Sequence, residues 1–229
     1  MSSLPGDQYR AVLFDLDGTL VDTAPDMVGA LQKLQLRNDI EPIAYELGRA
    51  NVSNGSMGLL RAGFPHLDAN KQQELVCEFI EIYKQGLCDH SALFEGVADL
   101  LGELENAEYP WGVVTNKPSH LTEPLLELLA LSERSACIIS GDTLSVRKPN
   151  PGQVLHACEI IGVSPESVLY VGDAPRDIEA GRAAGSTTVA AAYGYIPADD
   201  DPADWGADAI ARDVEELTKI VLKGVNLNL

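Results

Sequence analysis

Five short runs of mostly apolar and β-branched residues constrain the fold more than anything else in the chain: Ala11–Phe14, Gly112–Val114, Ala136–Ile139, Ser167–Val171 and Thr187–Ala190. None alternates apolar with polar, as a strand with one wet face would, so each reads as a strand buried on both sides in a parallel sheet. Between them lie stretches opened by a proline or a capping residue, such as Thr122-Glu123-Pro124-Leu125-Leu126 and Pro151-Gly152-Gln153-Val154-Leu155-His156, which read as helices. Strand and helix in alternation predict a doubly wound, Rossmann-like α/β core.

The alternation breaks from about Thr23 to Cys88. Pro25–Leu34 repeats apolar residues at helical spacing, and Leu75, Phe79, Ile82 and Tyr83 do so again, which predicts three or four helices in a row without a strand. The expected division is an α/β core of residues 1–20 and 94–229 and an inserted helical cap of residues 21–93. Following the first strand, the insert is expected above the carboxyl edge of the sheet, where α/β proteins bind ligands, as a lid. A chain of 229 residues that is 45% hydrophobic can bury such a core, which excludes disorder and a disulfide-stapled scaffold.

With 16 Lys and Arg against 35 Asp and Glu, the net charge of -19 argues against nucleic acid and anionic membrane as partners. Met1–Arg10 has neither a basic region nor an apolar run after it, and no stretch approaches a membrane span, so a cytoplasmic protein is expected. Cys77, Cys88, Cys137 and Cys158 lack C-x-x-C spacing and read as small structural hydrophobes. His66, His90, His120 and His156 lack ligand spacing, Phe14 and Trp111 read as core, and Arg176 as either a surface ion pair or a sensor of substrate.

Chemistry-bearing residues gather where the predicted strands end. Asp15-Leu16-Asp17-Gly18-Thr19 places two carboxylates after the first strand, a run equally compatible with an ordinary turn beside a surface Asp. Thr115-Asn116 follows the next with a hydroxyl and backbone N–H groups able to hold an anion. Lys148, near the helix opened by Pro151, offers either a point charge for phosphate or a surface salt bridge. Gly172-Asp173 through Asp177 brings two more carboxylates. Four Asp converging on one edge would repel one another without a cation, and an all-oxygen site suits Mg²⁺. A carboxylate attacking a phosphate dianion under the screening of metal and Lys148 would give an aspartyl-phosphate, later opened by water.

Taken in order, Asp15-Leu16-Asp17-Gly18-Thr19, Thr115-Asn116, Lys148 and Gly172-Asp173 through Asp177 resemble the four motifs of haloacid-dehalogenase superfamily phosphatases, in the phosphoglycolate phosphatase-like branch with a helical cap. The resemblance implies Asp15 as nucleophile, Asp17 as general acid and base, and Thr115 and Lys148 on the phosphoryl group. It also implies Mg²⁺ on Asp15, the Asp17 carbonyl and Asp173, with Asp177 behind them. Gly18, Asn116 and the cap residues Ser53, Asn54 and Arg61 are the expected substrate contacts. Met57 stands where many relatives carry Arg, which makes Arg61 or Arg49 the expected partner of a substrate carboxylate. Trp111–Pro118, Thr122–Leu126, Ser140–Leu144 and Gly194-Tyr195-Ile196 further resemble the bacterial N-acetylmuramic acid 6-phosphate phosphatases.

The expected activity is thus Mg²⁺-dependent hydrolysis of a small phosphate ester, N-acetylmuramic acid 6-phosphate or phosphoglycolate. Asp17 argues against a dehalogenase, whose halide leaving group needs no proton donor. A phosphosugar mutase of the same superfamily shares the motifs. A non-catalytic phosphate-binding or signalling module would gather similar residues in a shorter chain.

Overall fold

The computed structural model describes residues 9–225; Met1–Gln8, on which most of the N-terminal reading rests, lie outside the described residues. The chain opens with β1 (Ala11–Phe14) and a two-residue β2 (Val21–Asp22). Four helices follow: α1 (Ala24–Arg37), α2 (Tyr45–Arg49), α3 (Gly55–Gly63) and α4 (Ala69–Lys84), with a 3₁₀ turn over Val52–Asn54. β3 (Ala92–Leu93) then brings the chain back to α5 (Val97–Asn106), β4 (Trp111–Val114), α6 (Ser119–Leu128), β5 (Ile138–Ile139) and α7 (Gly152–Ile161). The remainder is β6 (Val168–Gly172), α8 (Pro175–Ala184), β7 (Thr187–Ala191), β8 (Ala209–Ala211) and α9 (Val214–Gly224).

Six strands form one parallel sheet in the order β5-β4-β1-β6-β7-β8, the α/β architecture that the apolar runs predict. Burial on both faces explains why those runs do not alternate. Val12 and Phe14 of β1 enter one apolar cluster with Leu100, Leu104, Leu125 and Leu217, while Ala11 and Leu13 enter another with Val154, Ala157 and Ala180. The order turns at β1, which has β4 on one side and β6 on the other. Connections therefore diverge there and leave a crevice at the carboxyl ends.

β2 and β3 form a separate antiparallel ribbon, Val21 opposite Leu93 and Asp22 opposite Ala92, and α1 to α4 lie between its two legs. Asp26, at the start of α1, accepts hydrogen bonds from the His90 and Ser91 amides and from Ser91 Oγ, the last at 2.6 Å. The returning chain is thereby tied to the outgoing one at the base of the insert. Gln35, fully buried, spans the α1–α3 packing by donating to the Gly63 carbonyl.

Three local expectations are corrected. α6 starts at Ser119, and Pro124 lies inside it rather than opening it; the first turn is held instead by Thr122 Oγ1, which donates to the Lys117 and Pro118 carbonyls. β8 and the β2–β3 ribbon were not anticipated, because three- and two-residue strands carry too little apolar periodicity to stand out. Cys77 is exposed on α4, unlike Cys137 and Cys158, whose thiols burial pushes up to about 12 and about 11. Among the described residues no helix is long and apolar enough to cross a membrane.

Candidate active site

Parallel pairing aligns the strand ends, so that the residues following them share one edge. Phe14 is level with Val113 and Val171, and the Asp15 amide extends the ladder by donating to the Val171 carbonyl at 2.8 Å. Asp15, Thr115 and Asp173 thus emerge side by side, each almost wholly buried. Lys148 reaches the same place from the loop before α7. Its Nζ lies 2.9 Å from Asp15 Oδ1, 2.6 Å from Asp177 Oδ1 and 2.8 Å from the Val114 carbonyl. Its backbone amide donates to the side chains of Asn116 and Gln153, so both ends of the lysine are fixed. It is a buried cation between two carboxylates, not a surface salt bridge.

Asp177 also accepts from Tyr170 Oη and from the Ala174 amide, and burial pushes its carboxyl up against the pull of Lys148. Its two oxygens are committed to protein donors. Asp173 is different. Oδ2 accepts from the Tyr195 amide at 2.9 Å and from Ser53 Oγ at 2.7 Å, while Oδ1 is buried with no partner among the described residues. Burial, with the charges of Asp15 and Asp177 beside it, pushes this carboxyl up to about 7. One oxygen each from Asp15, Asp173 and Asp177 lie within 4.8 Å of one another. An unsatisfied buried oxygen on one of three converging carboxylates fits a hard divalent cation, so the buried triad can hold a metal ion.

Asp17, the nearby second carboxylate, faces another partner. Its Oδ1 accepts from Thr23 Oγ1 at 2.6 Å and from Lys117 Nζ at 2.9 Å. Lys117 is itself buried, with Nζ 3.0 Å from Tyr83 Oη and 4.8 Å above the Tyr83 ring. Burial alone would lower the Lys117 pKa, but Asp17 and Tyr83 raise it above the ordinary value. The two carboxylates two residues apart therefore sit in separate cationic settings, Asp15 with Lys148 and Asp17 with Lys117. Neither Lys117 nor Tyr83 was singled out from the sequence, although a lysine two residues past Thr115 is itself the signal that could have drawn attention to this strand end.

A cavity of about 410 Å³ opens over this floor. Asp15, Asp17, Thr115 and Lys117 line it from the sheet side, and Ser53–Met57, Phe79, Ile80 and Tyr83 from the helical insert. Thr115 Oγ1 accepts from the Lys117 amide, which leaves its hydroxyl proton free for an acceptor in the cavity.

Of the expected substrate contacts, Ser53, Asn54 and Asn116 line the cavity, whereas Gly18 and Arg61 do not. Gly18 spends its amide on the Val21 carbonyl; it is glycine for steric reasons, with φ of 83° and an added Cβ only 2.0 Å from Asp173 Oδ2. The Asn116 side chain bonds the Lys148 backbone in both directions, so it lines the cavity while holding the lysine. Ser53 directs its hydroxyl at Asp173. Asn54 lines the cavity ahead of α3. Arg61 is exposed and absent from the lining, because helical spacing sets it opposite the buried Leu59 and Gly63. Arg49 instead donates to the Gly194 carbonyl and stacks on Tyr195, 4.8 Å from the ring. Arg176 donates to the Ser53 carbonyl at 2.6 Å and lines the cavity, so it is not a surface ion pair. Arg147 lines the cavity, exposed, with no side-chain partner among the described residues.

Comparison with known proteins gives consistent similarities. Residues 12–191 match the profile of the haloacid dehalogenase-like hydrolases. The N-acetylmuramic acid 6-phosphate phosphatase of Pseudomonas putida is 42% identical over 215 residues, covering 93% of this chain and 96% of that one. A phosphoglycolate phosphatase of Xanthomonas campestris pv. campestris is 45% identical over 208 residues, covering 91% and 94%. A crystal structure from Haemophilus somnus, described as a predicted phosphoglycolate phosphatase, superimposes with a TM-score of 0.83 at 27% identity, covering 93% of this chain and 98% of that one.

Proposed function

The chain belongs to the haloacid dehalogenase-like hydrolases and is a phosphatase, and from that premise we propose that it hydrolyses a small carboxylate-bearing phosphomonoester through an aspartyl-phosphate on Asp15. The substrates that fit are N-acetylmuramic acid 6-phosphate and phosphoglycolate, after the names of its relatives. The observation that carries the choice between them is the cavity of about 410 Å³. A two-carbon acid phosphate leaves most of that space to water, whereas an amino-sugar phosphate bearing a lactyl group fills it, which favours the larger ester.

In the proposed reaction the Asp15 carboxylate attacks phosphorus, and the ester oxygen leaves with a proton from Asp17. Asp17, now ionised, takes a proton from the water that opens the aspartyl-phosphate, releasing inorganic phosphate and restoring Asp15. Lys148 and the Thr115 hydroxyl hold the equatorial phosphoryl oxygens, and Asp177 fixes Lys148. Asp15, Asp173 and the Asp17 carbonyl are the proposed Mg²⁺ ligands. When bound, Mg²⁺ screens the repulsion between the attacking carboxylate and the phosphate dianion.

Residues 21–93 act as a cap that selects the substrate over a core of residues 1–20 and 94–229. Arg147, at the cavity wall with no side-chain partner among the described residues, meets the substrate carboxylate in place of Arg61. The test is phosphate release with Mg²⁺ from N-acetylmuramic acid 6-phosphate, phosphoglycolate and glucose 6-phosphate, compared by kcat/KM. The muramic acid ester is expected to lead. A preference for glucose 6-phosphate over both carboxylate esters would overturn the substrate assignment.

A further inference from the structure

Resting on the cation site proposed above, we infer that Ser53 is a positioning residue for Asp173, through which the helical insert sets the affinity of the core for its divalent cation. Four groups close on Asp173 Oδ2. Missing side chains at Gly18 and Gly194 let the backbone close on it, since an added Cβ would stand 2.0 Å and 2.7 Å from Oδ2. The Tyr195 amide and Ser53 Oγ supply its two hydrogen bonds. Of these four fences, three belong to the core and only Ser53 comes from the insert, 120 residues away along the chain.

The orientation of the carboxylate is what these contacts decide. With Oδ2 held by two donors, Oδ1 is the oxygen left without a partner among the described residues, and Asp173 gives one oxygen to the buried triad that converges within 4.8 Å. Without the Ser53 hydroxyl a single amide donor would hold Oδ2, and rotation about the Cβ–Cγ bond would cost less. Ligand groups that must be oriented at the moment of binding bind their metal more weakly, and loss of such an outer partner costs about 10-fold to 100-fold in affinity.

Ser53 is itself positioned. Its carbonyl accepts from Arg176 Nη2 at 2.6 Å, and Arg176 lies in the first turn of α8, directly after the loop that carries Asp173. Nearby, Arg49 from α2 clasps Gly194 and Tyr195, whose backbone forms part of the same enclosure. The insert therefore reaches Asp173 directly through Ser53 and indirectly through Arg49. By linkage, a contact that strengthens cation binding is strengthened by the cation to the same extent. Mg²⁺ and closure of the insert support each other before any substrate arrives.

The test is titration calorimetry with Mg²⁺ alone on the wild-type protein, Ser53→Ala, Ser53→Thr and Asp173→Asn, together with amide exchange of Val52–Asn54 with and without Mg²⁺. Ser53→Ala is expected to raise the Mg²⁺ Kd about 10-fold, with Ser53→Thr restoring most of the loss because it keeps the hydroxyl. Mg²⁺ is expected to slow exchange at Val52–Asn54 in the wild type and not in Ser53→Ala. Unchanged Mg²⁺ affinity in Ser53→Ala, alongside lost binding in Asp173→Asn, would overturn the role of Ser53 and leave the cation site standing. Wild-type affinity in Asp173→Asn would overturn the cation site itself.

Discussion

Asp15 and Asp17 differ in their cationic partners, and this separation predicts different responses to the same change. Asp15→Asn keeps the shape of the side chain and removes the attacking charge, so turnover should fall to background with the fold intact by circular dichroism. Asp17→Asn should instead slow alkyl phosphates by about 100-fold or more, and 4-nitrophenyl phosphate far less, because a nitrophenolate leaves without a proton. Equal losses on both substrates would refute the proton-donor role. Arg147→Ala is expected to raise KM for carboxylate esters about 10-fold, the order of one charge-assisted contact, and to spare 4-nitrophenyl phosphate, while Arg61→Ala changes neither. Residues such as Asp15, Thr115, Lys148 and Asp173 were legible in the sequence because each follows or faces a strand end. Lys117, Tyr83, Arg176 and the true bearing of Ser53 were not, since their contacts join segments 34 to 123 residues apart.

At the scale of elements, α4 does more than roof the cavity. Its Tyr83 shields Lys117, which in turn holds Asp17, so displacement of α4 exposes the lysine to water and loosens its grip. Lys117→Met should lower kcat by about 10-fold, a fraction of what a general acid contributes, with KM little changed. Tyr83→Phe, which keeps the ring above Lys117 but loses the hydroxyl, should fall between that variant and wild type. Steady-state kinetics on an alkyl phosphate read both, and a change confined to KM would place Lys117 on the substrate instead. Elements built from runs without polar alternation, namely the sheet strands β1, β4, β6 and β7, could be read in advance because burial on two faces leaves a compositional mark. The Ala209–Ala211 strand is held by pairing with β7 at the sheet edge, and pairing of that kind leaves no mark in the sequence itself.

For the molecule as a whole, 35 acidic against 16 basic residues means that cations are scarce, yet Lys117, Arg147, Lys148 and Arg176 all stand at or beneath the same cavity. Local positive charge there offsets the general repulsion of an anionic ester. The cation site also couples to global stability: Mg²⁺ at about 100 times its Kd should stabilise the fold by about 2.7 kcal/mol. A rise in thermal midpoint should accompany it in the wild type and vanish in Asp173→Asn. The β2–β3 ribbon carries a different consequence. Because Val21 lies opposite Leu93 and Asp22 opposite Ala92, the helical insert departs from and rejoins the rest of the chain at a single hydrogen-bonded doorway. Such a unit is a cassette in its chain path: a foreign helical segment with matching two-residue ends would enter between Asp22 and Ala92 without re-threading the sheet, and would keep the floor intact only if it also replaced the contacts that Ser53, Arg49 and Tyr83 make to it.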